Sequence, residues 1–217
     1  MVTRSAGRGD TRSAVSRARL LGTAERLIAV HGVAQVSSRR VAAEAGQANN
    51  SAVAYHVGTM ADVVLAVLAE HGEAMDRLRE PMLDAVDGSP ELRDHVACLV
   101  PPMTRHLAGI GAPSHYARFA AHVVSDPVLR GPALAATTST TAMSRALRAV
   151  QRCATHLPDA AVLTRSAMAR HALVHLCADR EAELAVADGP TTGIPGWEET
   201  GEFLVDGLTG MLGAPPA

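Results

Sequence analysis

Hydrophobic positions repeat at the spacing of an α-helix over most of the chain. Between residues 16 and 31 they fall on one helical face, at Leu20, Leu21, Ala24, Leu27 and Ile28. Gly32 follows as a helix stop. No stretch alternates between apolar and polar residues in the way that a half-buried strand does. The pattern therefore predicts an all-α fold.

Caps and breaks divide the rest of the chain into further helices. A short second helix is predicted to begin at Ser37 or Ser38, either of which can cap it, and to end at Gly46. A third is predicted to end near His56. Longer helices are expected at about 60–79, 90–108, 113–125, 131–156, 159–186 and 197–212. The pair Pro101-Pro102 should break or kink the helix in which it falls.

The arginines are concentrated at the N-terminal end. Residues 1–57 carry eight arginines against three acidic residues, and the remainder carries twelve against nineteen. Such asymmetry indicates that the basic end meets a polyanion. The alternative is a disordered basic tail, predicted for residues 1–14, on an ordinary domain. Arg39 and Arg40 lie inside a predicted helix, which favours the first interpretation.

The sequence offers little support for catalysis, a cofactor or a membrane. It has no GxGxxG, GxxxxGK[ST] or GxSxG motif and no internal repeat. The three cysteines form no CxxC pair, which is typical of reduced thiols in the cytoplasm. No apolar leader and no run of eighteen apolar residues occurs, so a cytoplasmic protein without membrane contact is expected.

Two histidine patterns are candidates for chemical sites. Ser51 and His56 lie five residues apart on one short helix with no third orienting group, which argues against a nucleophile and base. His171 and His175 have the i, i+4 spacing that can bind zinc, but without the Glu of an HExxH motif. A structural role on a partly buried interface helix is favoured for that pair, and no metal site is predicted.

Three short helices joined by tight turns, with arginines on the second, favour a helix-turn-helix. A more specific signal lies in the segments AERLIAVHGVAQVSSRRVAAEAG (24–46) and NNSAVAYHVGT (49–59). They resemble the DNA-binding domain of the TetR family of transcriptional regulators. In that family a helix ending in His-Gly precedes S-R-x-V-A-x-x-A-G and a short helix ending in Tyr-His.

The resemblance implies a set of DNA-contacting residues: Ser38, Arg39, Asn49, Asn50, Ser51, Ala52, Tyr55 and His56. Ser38 and Arg39 would reach phosphate or a base, and the residues from 49 to 52 would begin the recognition helix. Val53 is expected to point into the core. Ala54 stands where many members have Tyr, and Met60 where a phosphate-binding Lys is common. The turn before the third helix also looks one residue longer than in many members.

The resemblance divides the chain into a helix-turn-helix DNA-binding domain, residues 15–60, and a ligand-binding and dimerisation domain, residues 61–217. The last two long helices would pair with their copies in a second subunit, although their apolar stripes could instead pack inside the monomer. The larger or adaptable side chains of the central helices are candidates for a hydrophobic ligand site. These are Met103, His106, Tyr116, Phe119, His122 and Met143, and ordinary core is the alternative for each.

The resemblance therefore implies a homodimeric transcriptional regulator without catalytic activity. It would repress genes by binding a palindromic operator and would be released by a small molecule. Two alternatives stay open at this point. One is a helical enzyme or small-molecule carrier whose basic N-terminus is incidental, and the other is an architectural DNA-binding protein without a ligand.

Overall fold

Helices form nearly all of the regular structure. The computed structural model describes residues 6–47, 52–186, 193 and 195–215, with side chains from residue 13 onward. These ranges contain no strand, which confirms the all-α prediction. The helices are α1 (Ala6–His31), α2 (Ser38–Glu44), α3 (Ala52–His56), α4 (Met60–Ala85), α5 (Leu92–Ala97), α6 (Pro101–Ile110), α7 (Tyr116–Ser125), α8 (Arg130–Thr138), α9 (Thr141–Cys153), α10 (Asp159–Val186) and α11 (Trp197–Gly213).

Helices α1, α2 and α3 form a small unit, called the head below. Leu27 and Ile28 of α1 are buried there together with Val41 of α2 and Val53 of α3, as the sequence pattern predicts. Of the two candidate caps for α2, the structure uses Ser37, whose side chain accepts a hydrogen bond from the backbone N–H of Arg40.

Helices α4–α11 form the larger unit, called the body below. In the body α10 packs against α7, α11 packs against α5 and α6, and α4 packs against α6, α8 and α9. Helix α1 of the head lies against both α4 and α7. Most of the buried apolar residues of head and body consequently form one continuous cluster, and a smaller cluster in the body contains Leu83, Cys98, Ala142 and Ala146. No described helix is long and apolar enough to cross a membrane.

A buried carboxylate fixes α10 to the start of α7. Glu181 is 2 % exposed. Its oxygens accept hydrogen bonds from Ser114 Oγ and from the backbone N–H groups of Ala117 and Arg118, over 2.8, 3.1 and 3.0 Å. Arg118 Nε donates a further bond over 3.0 Å. Four donors, one of them charged, offset the desolvation of this carboxylate and use the unpaired N–H groups of a helix N-terminus.

Two helices are longer than the sequence predicts. Helix α1 begins at Ala6, so residues 6–14, predicted to be a disordered tail, are helical; residues 1–5 lie outside the described ranges. Helix α4 continues through Pro81 to Ala85, although the sequence predicts a break there. Arg79 and Leu83, on either side of the proline, are both buried. Their packing outweighs the local preference of proline to end a helix.

Two predicted helices are each divided in the structure. The 90–108 prediction becomes α5 and α6, and Pro101 is the first residue of α6, which confirms the expected break. The 131–156 prediction becomes α8 and α9. There the Thr138 hydroxyl donates to the Leu134 carbonyl over 2.8 Å, and the Thr140 side chain caps α9 by accepting from the Met143 N–H. Hydroxyl side chains that bond nearby backbone groups favour such interruptions.

The joint between α3 and α4 provides a stability test. Gly58 has φ +118°, and a Cβ placed there would lie 2.6 Å from Asp62 Oδ2. That oxygen cannot move freely, because it accepts hydrogen bonds from the Thr59 N–H and hydroxyl, each over 2.8 Å, in a capping box.

We therefore expect Gly58→Ala to lower the free energy of unfolding by about 2–4 kcal/mol. The matched control is Gly88→Ala, at φ +78° with nothing within 4 Å of the added Cβ, which should cost only about 1 kcal/mol. Urea unfolding of both variants measures the difference. Equal losses would contradict the proposed role of the Asp62 contact.

Candidate DNA-binding surface and small-molecule cavity

Arg39 is the most available cation of α2. Its side chain is exposed and donates no hydrogen bond to any described residue. The neighbouring Arg40 is engaged, because it contacts His31 Nε2 over 2.8 Å and Glu44 over 3.5 Å. Arg26 binds the same Glu44 over 2.7 Å, and this hydrogen bond is the main cause that lowers the pKa of the Glu44 carboxyl. The head thus neutralises two arginines internally and leaves Arg39 open to an external partner.

Three more of the sequence-predicted DNA contacts are accessible. Tyr55 of α3 is 83 % exposed, and its ring meets that of His56 edge to face. His56 Nδ1 lies 3.4 Å from Ser13 Oγ of α1, and Ser38 is half-buried at the start of α2. These side chains and Arg39 belong to the two short helices that a helix-turn-helix uses to contact DNA.

The other predicted DNA contacts differ in outcome. Ala52 is only 6 % exposed and belongs to the core of the head, so the prediction that its side chain faces the bases is wrong. Asn49, Asn50 and Ser51 lie outside the described residues. Met60, in the position where the family commonly has a lysine, is half-buried and packs against the core.

A cavity of about 170 Å³ lies in the body between α4, α8 and α9. Its wall is mostly apolar and includes Leu68 and Met75 of α4, Ala136 of α8 and Met143 of α9. The remaining lining residues are Ala69, Gly72, Glu73, Asp76, Arg79, Thr137 and Thr140. A concave apolar site with a few polar groups is typical of small-molecule binding.

A buried guanidinium forms part of the cavity wall. Arg79 is 2 % exposed, forms an ion pair with Asp76 and donates from Nε to the Cys98 carbonyl over 3.0 Å. Its Nη2 donates to no described residue. Burial lowers the pKa of Arg79 to about 10, so the side chain is still charged at neutral pH. The sequence analysis missed Arg79, although a charged residue between Met75 and Leu83 on the apolar face of a helix could have indicated it.

A polar cluster joins the head to the body. His71 of α4 donates from Nε2 to Glu25 of α1 over 3.1 Å. Its Nδ1 shares a hydrogen bond of 2.7 Å with Nε2 of His106 on α6. The His71 ring also stacks on Tyr116 of α7, with ring centroids 3.8 Å apart. This cluster of Glu25, His71, His106 and Tyr116 therefore connects four helices.

The six residues predicted to bind a ligand do not line one site. Met143 lines the cavity, whereas Met103 and Phe119 are buried in the core. His106 and Tyr116 belong to the polar cluster. His122 is exposed on α7 near the end of α1, where a Cβ on Gly32 would lie 3.5 Å from its Nδ1. Ligand binding by any of the six residues stays a prediction.

His171 and His175 stack on each other on α10, with ring centroids 5.5 Å apart. Burial is the main cause that lowers the pKa of His171. In the described part of the chain, no group of three or more His, Cys, Asp or Glu side chains is arranged to hold a metal ion.

A three-helix head with an exposed arginine on its second helix, joined to a larger helical body, has the architecture of a helix-turn-helix DNA-binding protein. Residues 96–211 match the family model described as the tetracyclin repressor-like C-terminal domain. The match covers more than half of the chain. The chain therefore belongs to the TetR family of transcriptional regulators, as its N-terminal motifs suggest.

Solved structures agree with the fold. A TetR family transcription regulator from Marinobacter aquaeolei superposes with a TM-score of 0.52 at 16 % identity, over 91 % of this chain and 97 % of that one. The TetR family transcriptional regulator PfmR from Thermus thermophilus superposes with a TM-score of 0.50 at 14 % identity, over 100 % of both chains. No protein of curated function matches the sequence.

The polar cluster makes stability depend on pH. Burial, followed by the neighbouring His71, lowers the pKa of His106 from its ordinary value of 6.5 to about 4. Between these two values the unfolded chain takes up a proton at His106 and the folded protein does not. Stability is therefore full above pH 6.5 and is lost as the pH falls towards 4.

We expect His106→Gln to reduce this dependence, so that the variant loses less unfolding free energy than the wild type between about pH 7 and pH 4.5. The matched control, His156→Gln, changes an exposed histidine and should keep the wild-type slope. Urea unfolding at several pH values measures both. If the unfolding free energies of His106→Gln and wild type depend on pH in the same way, His106 is not the cause of this dependence.

Proposed function

We propose that this regulator is a repressor that binds a palindromic operator as a homodimer and is released by a small molecule. The observation that carries the DNA-binding part is Arg39, which is exposed on the second helix of the head and has no partner among the described residues. A guanidinium without an internal partner can neutralise phosphate or bind a base edge without first breaking an ion pair. Tyr55, exposed on the neighbouring α3, extends the same surface.

Dimerisation is supported by the apolar surface of the last two helices. Leu163 and Met168 of α10 are 75 % and 50 % exposed, and Phe203 of α11 is 57 % exposed. On α11, Gly207 and Gly210 lie one and two turns after Phe203, and a Cβ on either would meet open space. Exposed apolar side chains beside small residues suit close packing against a second copy. Two heads would then read two half-sites of a palindrome.

The effector is proposed to act through α4. One face of α4 lines the cavity and another carries His71, which bonds to Glu25 of the head. The first turn of α4 is capped by Thr59, directly after α3. A ligand that binds more tightly to one position of α4 would therefore favour one position of the head. Release from DNA requires such a difference in ligand affinity between two conformations. This role uses no catalysis.

DNA binding can be tested through Arg39. A duplex selected from random sequence by the wild type is titrated in fluorescence anisotropy at several salt concentrations. We expect Arg39→Ala to weaken binding by about tenfold or more, since each phosphate or base contact contributes roughly 1–3 kcal/mol. If Arg39 contacts phosphate, two copies in a dimer should lower the salt slope by about two.

Arg148→Ala is the matched control, because Arg148 is an exposed arginine of the body with no ion pair among the described residues. It should bind the selected duplex like the wild type. Equal affinities of the Arg39 and Arg148 variants would exclude the proposed surface.

The dimer can be tested by a charge on α11. We expect Gly210→Arg to convert a dimer into a monomer of 22.5 kDa, because a long charged side chain would enter the proposed interface. Gly22→Arg on α1 is the control, since its added Cβ also meets open space. Sedimentation velocity without DNA distinguishes them. A Gly210→Arg variant that sediments like the wild type would refute this interface.

A further inference from the structure

The size of the cavity limits its occupant. A dry apolar cavity of roughly 150 Å³ is enough to hold a benzene ring. The cavity between α4, α8 and α9 measures about 170 Å³. The large apolar side chains of Leu68, Met75 and Met143 form part of its wall. A single six-membered ring, or an aliphatic group of similar volume, therefore matches it.

The charges around the cavity limit the occupant further. Asp76 already balances the charge of the buried Arg79. An anion would have to leave water for an apolar space that holds no unbalanced cation, at a large desolvation cost. A cation would meet the guanidinium of Arg79 on the wall. Two carboxylates line the cavity, but Asp76 is already paired with Arg79, and Glu73 is exposed and therefore screened by water.

Arg79 also has a hydrogen-bond donor that no described residue uses. Nε binds the Cys98 carbonyl and Nη1 binds Asp76, but Nη2 has no acceptor among the described residues. Nη2 keeps some accessible surface on the cavity-lining Arg79, so it can donate to a ligand oxygen without first breaking another hydrogen bond. A neutral carbonyl oxygen accepts such a bond without the desolvation of a full charge.

We infer that the effector is a compact, uncharged, largely apolar molecule whose carbonyl oxygen accepts a hydrogen bond from Arg79. This inference rests on the proposed function, because it describes the effector of that regulator. Binding of such a ligand can also be tested without DNA.

Four probes that share one six-membered ring represent a neutral acceptor, an apolar molecule, a cation and an anion. They are cyclohexanone, methylenecyclohexane, cyclohexylamine and cyclohexanecarboxylate. Each is titrated into the wild-type protein by ligand-observed NMR. We expect cyclohexanone to bind about tenfold more tightly than methylenecyclohexane, which has nearly the same shape but no acceptor. The amine and the carboxylate should bind more weakly than the ketone. Tighter binding of either charged probe, or no binding of the ketone, would overturn the inference.

Two variants locate the ketone. Gly72 lines the cavity, and a Cβ there meets open space, so Gly72→Leu should fill the cavity and abolish ketone binding without disturbing the helix. Gly109→Leu, on α6, is the matched control and should bind like the wild type, because its Cβ also meets open space. Arg79→Lys keeps the positive charge but loses the planar guanidinium, so the ketone should lose its advantage over methylenecyclohexane. Ketone binding that survives Gly72→Leu would place the ligand elsewhere and overturn the inference.

Adding cyclohexanone to the complex with the selected duplex then tests the proposed function separately. Weaker DNA binding in the wild type, but not in Gly72→Leu, would support both proposals. Ketone binding with unchanged DNA affinity would support the ligand class and contradict release by this site. Release of DNA by cyclohexylamine or cyclohexanecarboxylate, but not by the ketone, would support ligand-induced release and contradict the ligand class.

Discussion

The packing of α1 against both α4 and α7 is the constraint on which the rest of the structure depends. A head of three helices, two of them short, buries too little apolar surface to be rigid alone. Here its core continues into the body, since Leu27 and Ile28 belong to the same buried cluster as Phe119 and Leu107. The position of the head is consequently set by its packing against α4 and α7 of the body.

The polar groups inside this packing fix the register in which the head lies against the body. Glu25 and His71 lie 46 residues apart in sequence and meet only when α1 lies against α4 in one register. A buried hydrogen bond depends strongly on distance and angle, so a shift of about one ångström would break it, whereas apolar contacts tolerate small shifts. The cluster from Glu25 to Tyr116 thus selects one arrangement of four helices, while the apolar core supplies most of the stability.

The sequence predicts those features that residues close together in the chain determine. Helical periodicity locates the apolar face of α1, Pro101 locates the start of α6, and the arginines of the second helix indicate a surface for a polyanion. The sequence could not reveal that Glu44 neutralises Arg26 and Arg40, because that depends on how α1 and α2 cross. The prediction for Ala52 failed for a similar reason. A five-residue helix has no periodicity of its own, and its packing decides which face is buried.

We propose that DNA affinity depends on the polar cluster, although the cluster lies away from the DNA-binding surface. The most direct test is the dissociation constant of His106→Phe for the selected duplex, because this change keeps an aromatic ring in the body and removes its hydrogen bond to His71. We expect His106→Phe to unfold cooperatively and to bind with an affinity changed several-fold, whereas His156→Phe on the surface should keep wild-type affinity. Wild-type affinity of a folded His106→Phe would contradict it.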